Sequence, residues 1–206
     1  MQPPFAVSGT LSGHSCDNDI SLRPARPEDL PAILAIYNSA IRDTTAVYTE
    51  VPTTLTERAA WLKAKEAAGW PVIVATLRNT GSEHDRRVAG FGTYGPFRAW
   101  PGYRFSVEHS LYVSQAHRGH GVGSLLLQTL TDHATREKRH VMIAGIDAAN
   151  SASIRLHEKH GFLKAGLMEQ VGCKFGRWLD LQWMQKRLNT SLSPAEPAPA
   201  GLTESP

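Results

Sequence analysis

The chain has 206 residues, 41% hydrophobic and 20% charged, an ordinary globular composition that fits a single domain with a core needing no disulfide staples. Its net charge of +3 is mild, and the basic cluster from Arg136 to His140 reads as a solvated helix end, so no nucleic-acid-binding stripe is expected. Two cysteines far apart (Cys16 and Cys173), no membrane-length apolar run and no basic-then-apolar N-terminus predict a soluble, reduced, cytoplasmic protein without a Cys-x-x-Cys zinc site.

Residues 1–19 are rich in Ser, Gly and Pro and predict a mobile arm. Ile20 to Ala25 alternates as a first strand, and Arg26-Pro27-Glu28-Asp29 marks a helix entry. Leu30, Ile33, Leu34, Ile36, Tyr37 and Ile41 form the apolar face of a first helix, which Thr44 to Pro52 breaks. A second helix is expected from Thr56, as N-cap, to Ala68, with Gly69 as its stop. Val72 to Leu77 and Val88 to Tyr94 read as a hairpin around the polar turn Asn79 to Asp85. The loop Gly95 to Gly102 carries Phe97, Arg98 and Trp100, a lid or a binding wall. A long strand follows, Tyr103 to Val113.

The next stretch, His117 to Ser124, reads H-R-G-H-G-V-G-S. Gly119, Gly121 and Gly123 allow a tight turn, and Val122, Leu125, Leu126, Leu127, Leu130 and Ala134 then mark a third helix. A helix starting here directs unpaired N–H groups and its positive dipole end outward, a site for phosphate oxygens; the plainer alternative is a loop that only turns. No Lys follows Gly123, which excludes a Walker-type loop, and the third glycine comes one position too early for a dinucleotide fingerprint. His140 to Ile146 completes a strand–helix–strand crossover. Asn150 to His160 forms a fourth helix closed by Gly161, and Phe162 to Val171 and Trp178 to Leu188 form two last strands. From Asn189 onward Pro, Ala and Ser predict a disordered tail. The order β-α-α-β-β-β-α-β-α-β-β predicts an α/β fold with one mixed sheet of about seven strands and four helices, within residues 20–188.

Glu108 lies in the fourth strand, whose other face carries Phe105, Val107, Leu111 and Val113. A carboxylate there either has a chemical task or forms a structural ion pair, with Arg104 on its own face as the expected partner. Alternation places His109 on the apolar face, as a core histidine, unless a bulge turns it toward the site. Asn150, Ser153 and His157 share one face of the fourth helix. Glu158 and Lys159 suit the solvated side better, which lets His157 point inward. Zinc held by His157 and His160 lacks a third ligand, and no metal is expected.

The motif Arg118-Gly119-His120-Gly121-Val122-Gly123 resembles the pyrophosphate loop of GNAT-type N-acetyltransferases, and the run Asn150 to Phe162 resembles that family's second cofactor motif. More narrowly, Tyr103 to Val113 and Val171 to Asp180 are similar to the phosphinothricin acetyltransferase branch, with the Phe97-Arg98-Ala99-Trp100 variant closer to methionine-sulfone enzymes. The resemblance implies a GNAT fold and transfer of acetyl from acetyl-CoA to the α-amine of phosphinothricin, methionine sulfoximine or methionine sulfone. It implies Glu108 as base and His157 as proton donor. The implied acetyl-CoA contacts are Leu111, Tyr112, Val113, Arg118, Gly119, His120, Gly121, Val122, Gly123, Ser124, Asn150 and Ser153. Around the amino acid it implies Arg98, Ala99, Trp100, Tyr103, His109 and Ser110, with Glu108 and His157. Arg98 or Arg104 suits the substrate carboxylate, and Trp100, Tyr103 and Thr44–Thr45 suit its side chain. Branch members are homodimers, so a homodimer through the C-terminal strands is expected, with no nucleic-acid or membrane partner. A peptide N-terminal acetyltransferase and a non-catalytic coenzyme A sensor remain alternatives.

Overall fold

β-Branched and aromatic residues pair in one seven-stranded sheet in the order β1-β2-β3-β4-β5-β7-β6. The computed structural model describes residues 20–78, 86–190 and 193. The expected arm, the Asn79–Asp85 turn and most of the expected tail lie outside the described residues. The strands are β1 (Ile20–Pro24), β2 (Val72–Arg78), β3 (Arg86–Pro96), β4 (Ser106–Val113), β5 (Val141–Asp147), β6 (Leu163–Lys174) and β7 (Arg177–Arg187). The helices are α1 (Leu30–Asp43), α2 (Leu55–Ala67), α3 (Val122–Arg136) and α4 (Ser151–Lys159). All neighbouring strands are antiparallel except β4 and β5, whose parallel pairing requires the crossover through α3.

The sheet buries both faces. Leu126, Leu127, Leu130 and Ala134 of α3 pack with Val107, Met142 and Ala144 on one side. Ile33 and Ile36 of α1 meet Val74 and Phe91 on the other, and Leu62 of α2 joins Leu30 and Val72 beside them. The two layers fix both ends of β4, and thereby everything built on it.

Several boundaries differ from those expected. Helix α2 begins two residues earlier than Thr56 suggested: Thr54 is the N-cap, accepting from Glu57 N–H while the Glu57 carboxylate accepts from Thr54 N–H. Strand β4 starts at Ser106 because Pro101–Tyr103 winds into a 3-10 turn and ends the extended run. Asn189 is no loose tail residue, since its amide donates to the carbonyls of Thr135, in the last turn of α3, and Arg139, just beyond it.

Lys174 makes a contact that local sequence hides. Its ammonium is buried and donates to the carbonyls of Ile41 (2.6 Å), Thr44 (2.7 Å) and Val47 (2.7 Å). A cation on the last carbonyls of α1 also opposes the negative end of the helix dipole. The β6–β7 hairpin thus holds the loop after α1, helped by Tyr48 hydroxyl on the Asp180 carbonyl and Phe175 N–H on Glu50.

Candidate active site

Strands β4 and β5 pair only from Ser106↔Val141 to Glu108↔Ile143. Beyond that point β4 keeps a ladder partner only in β3, and β5 only in β7. Two strands that part inside a sheet leave backbone donors and acceptors facing a cleft, where water or a ligand must satisfy them. Glu108 stands at the last paired position, where the cleft begins.

On the Glu108 face, Ser110 and Tyr112 continue β4, and Tyr37 of α1 packs edge-on against Tyr112 at 5.1 Å. Burial pushes the Glu108 carboxyl above its ordinary range, and the nearby Arg98 guanidinium pulls it back. Arg98 Nη1 lies 3.8 Å from Glu108 Oε2, so Arg98 and not Arg104 is the cation on this carboxylate. Arg104 instead stacks over Phe105 at 4.6 Å, because the 3-10 turn removes it from the β4 alternation. Phe97 packs edge-on against Tyr103 and against Trp183 of β7, while Ala99 and Trp100 are exposed beyond them. Thr45 donates to Asp147 at the end of β5, which brings the loop after α1 onto the same face.

The glycine stretch starts α3 as expected. Gly119 (φ 82°) and Gly121 (φ 83°) both occupy the left-handed region, and Gly121 is the N-cap. No side chain caps this end, so the first N–H groups of a 15-residue helix face outward with the positive dipole end. That uncapped terminus, in the segment that follows β4, has the donors and the dipole sign that suit an anion. Val122 and Gly123 are helical, and the Val122 side chain is buried, which leaves their backbone for a ligand. The Ser124 hydroxyl meets His160 Nε2 at 2.7 Å, tying α3 to α4. Arg118 reaches the Val113 carbonyl and His120 the Arg118 carbonyl, both exposed. Asn150 caps α4 by accepting from Ser153 N–H.

His109 does not join Glu108 on the cleft-side face, where its expected place around the amino acid would put it. The β3–β4 register contains no bulge, so strict alternation holds and the ring lies buried on the opposite face. There it stacks on His157 at 5.1 Å, with Phe162 edge-on to both. His157 Nδ1 is 2.7 Å from the Ser153 carbonyl, which only accepts, so Nδ1 carries the proton. In a neutral ring Nε2 is then a lone pair, and it accepts from His109 Nε2–H across 3.1 Å. Burial lowers the pKa of both rings, first among the causes in each. His157 therefore does not present the free Nε2 proton expected of a direct donor, since its exposure is only 2% and that nitrogen is engaged.

Sequence reasoning missed Trp183 and Asp147. Trp183 fits over Gly145, its ladder partner, whose missing side chain leaves room for the indole, a pairing that only the folded sheet creates. Among the described residues no group of three His, Cys, Asp or Glu is arranged for a metal ion, and no helix is long and apolar enough to cross a membrane.

The neutral pair makes stability depend on pH. The unfolded chain protonates these imidazoles near pH 6.5, while the native form resists. Their contribution is complete above about pH 6.5 and is lost as pH falls. One imidazole kept neutral at pH 5 forfeits on the order of 2 kcal/mol by linkage. Urea midpoints at pH 7.5 and 5.0 should thus show a smaller drop for His109→Leu than for wild type. An equal drop would mean that His109 titrates normally in the native protein.

Residues 33–162 match the family model described as "Acetyltransferase (GNAT) family". A Pseudomonas paraeruginosa L-methionine sulfoximine/L-methionine sulfone acetyltransferase is 46% identical over 173 residues, 84% of this chain and 97% of that protein. A phosphinothricin acetyltransferase from Sinorhizobium meliloti, solved in complex with acetyl-CoA, superposes with a TM-score of 0.79 at 36% identity, covering 87% of this chain and 95% of its own. A structure from Brucella melitensis described as a ribosomal-protein-alanine N-acetyltransferase gives a TM-score of 0.76 at 46% identity over 82% of this chain and 99% of its own. With a sheet that parts at Glu108 and an uncapped, glycine-led helix at the end of β4, the chain belongs to the GNAT acetyltransferase family.

Proposed function

We propose that the protein acetylates the α-amine of small amino acids bearing an oxidised sulfur or phosphinate side chain, such as methionine sulfone, methionine sulfoximine or phosphinothricin. The observation that supports this most is Glu108 beside Arg98 at the start of the cleft: a carboxylate for an ammonium, and a guanidinium for a carboxylate. The relatives named for these substrates support the same reading.

Acetyl-CoA supplies an acetyl group activated as a thioester. The α3 N-terminus after Gly119 and Gly121 holds its pyrophosphate, and the unpaired β4 edge at Leu111, Tyr112 and Val113 holds its amide-bearing arm, with Asn150 and Ser153 opposite. Glu108 takes the first proton from the substrate ammonium, directly or through water. An ammonium that becomes an amide nitrogen sheds two protons, and the second balances the one that the thiol product gains. His157 is accordingly a positioned neutral ring and not an obligatory acid. Arg98 grips the α-carboxylate, while Phe97, Trp100, Tyr103 and Trp183 form the wall for the side chain.

We further propose a homodimer through the sheet edge. Strand β6 is exposed along nearly its whole length and shows Leu163, Leu167, Met168 and Val171, with Trp178 on β7. An edge strand carrying so much apolar surface is covered in a stable protein, and a second copy supplies a matching edge. The exposed free thiol of Cys173 suits a reducing, cytoplasmic setting.

Thiol release from acetyl-CoA, measured over a panel of free amino acids and short peptides, tests the substrate class. Methionine sulfone, methionine sulfoximine and phosphinothricin should give the highest kcat/KM, with peptides at least about tenfold lower, as expected when a charged carboxylate contact is lost. A preference for peptide N-termini would transfer the protein to the reading that the Brucella melitensis relative suggests. In sedimentation at micromolar concentration the wild type should run at twice the chain mass and Leu167→Glu at once. A monomeric wild type would remove the dimer.

A further inference from the structure

Arg98 stands against Glu108 without closing on it. The separation of 3.8 Å is an ion pair and not a hydrogen bond. The Arg98 Nη1 hydrogen bond goes instead to the Phe97 carbonyl at 2.7 Å. Its guanidinium lies over the Phe97 ring at 4.1 Å and within 5.8 Å of the Trp183 ring centre. Phe97 is fixed in turn by its N–H to the Ser106 carbonyl at 3.2 Å. The cation therefore has a rigid seat of its own, independent of Glu108. Its remaining donors are presented to solvent, since the side chains of Arg98 and Glu108 are 48% and 36% exposed.

Among the described residues, none but Arg98 acts as a cation on Glu108. On its own strand Ser110 and Tyr112 share its face, and burial keeps the Tyr112 phenol neutral. Across the sheet stand Gly95 of β3 and Ile143 of β5. Tyr37 of α1 packs on Tyr112, and the Arg58 guanidinium of α2 stands over the Tyr37 ring at 4.4 Å. Lys65 of α2 donates to the Tyr94 carbonyl at 3.0 Å, next to Gly95, and burial lowers its pKa. Of these groups, Arg98 is the one whose charge acts to hold Glu108 ionised.

An α-amino acid brings one charge of each sign. Its carboxylate matches the unused fork of Arg98, and its ammonium matches Glu108. On entry one ion pair becomes two, and no charge is left unmatched. An amide or ester of the same amino acid brings only the ammonium. Glu108 then faces two cations at once, which makes it a poorer proton acceptor. We propose that Arg98 is a specificity residue that exchanges Glu108 for the α-carboxylate of the substrate, so that a free carboxylate raises kcat and not only affinity. The chemical step within this exchange is one proton moving from the ammonium nitrogen to a Glu108 carboxylate oxygen, with no other bond altered. The inference rests on Glu108 being the base.

The test uses the full-length wild type, Arg98→Met and Arg98→Lys with acetyl-CoA, and compares L-methionine sulfone with its α-amide by thiol release. In wild type the acid should exceed the amide by about 10–100-fold in kcat, the size expected of a charged hydrogen-bonded contact. Arg98→Met should collapse that ratio toward one, lowering kcat for the acid while raising it for the amide; Arg98→Lys should restore part of the ratio. Running both substrates on each variant cancels their intrinsic difference in amine reactivity. Removing the cation should also move the acidic limb of kcat/KM upward in pH, because the carboxylate loses the charge that favours its ionised form. Equal kcat for acid and amide in wild type, with the difference confined to KM, would reduce Arg98 to a binding handle and overturn the exchange. So would an equal loss on both substrates in Arg98→Met. Glu108→Gln separates this failure from a failure of the base itself: a nearly inactive Glu108→Gln together with a wild-type acid-to-amide kcat ratio of one overturns the exchange alone, whereas an active Glu108→Gln overturns both.

Discussion

Everything in the site depends on the length of one ladder. Strands β4 and β5 share three residue pairs and then separate, while each continues fully paired on its outer side. Because the outer ladders and the two helical layers hold the strands apart, the cleft is part of the folded sheet and not an opening that a ligand must force. Glu108 marks its closed end. The glycine turn that starts α3 lies at the far end of the same strand, and α4 follows directly from the other wall. Glu108 and the uncapped N-terminus of α3 are thereby spaced along one rigid strand.

The two faces of β4 receive opposite treatment. Glu108, Ser110 and Tyr112 look toward α1, Arg98 and the aromatic wall, where charge is balanced but still reachable by solvent. Val107 and His109 look into the core, where charge is refused, and the His109–His157 pair survives by remaining neutral with each proton assigned a place. Distant segments then brace the Glu108 face. Lys174 spans the sequence to fix the loop after α1, and Thr45 of that loop reaches Asp147 on β5. The exposed β6–β7 hairpin is thus mechanically joined to the loop after α1.

Much of this was legible in the sequence, and the misses have local physical causes. The period-2 pattern of β4 placed Glu108 and His109 on opposite faces correctly, and the glycines at 119, 121 and 123 announced a tight turn, which the backbone makes through left-handed Gly119 and Gly121 while Gly123 is already helical. The capping box Thr54-x-x-Glu57 was also present to be read, but Thr56 lies closer to the apolar run and drew the helix start to itself. The partner of Glu108 was misassigned because alternation was extended through Tyr103 to Phe105, where Pro101 starts a 3-10 turn instead. Contacts between remote segments leave no periodic trace. His157 meets His109 across 48 residues and Lys174 meets Ile41 across 133, so the tautomer of the one and the burial of the other follow only from the fold.

The central claim is that Glu108 takes the proton from the substrate amine, and the pH–rate profile of Glu108→Gln on one good substrate tests it most directly. The substitution keeps the shape of the side chain and removes the proton acceptor. Turnover should fall by roughly 10²–10⁴-fold, and the acidic limb of the wild-type profile should disappear. Near-wild-type turnover with the acidic limb in place would show that Glu108 is a structural carboxylate paired with Arg98.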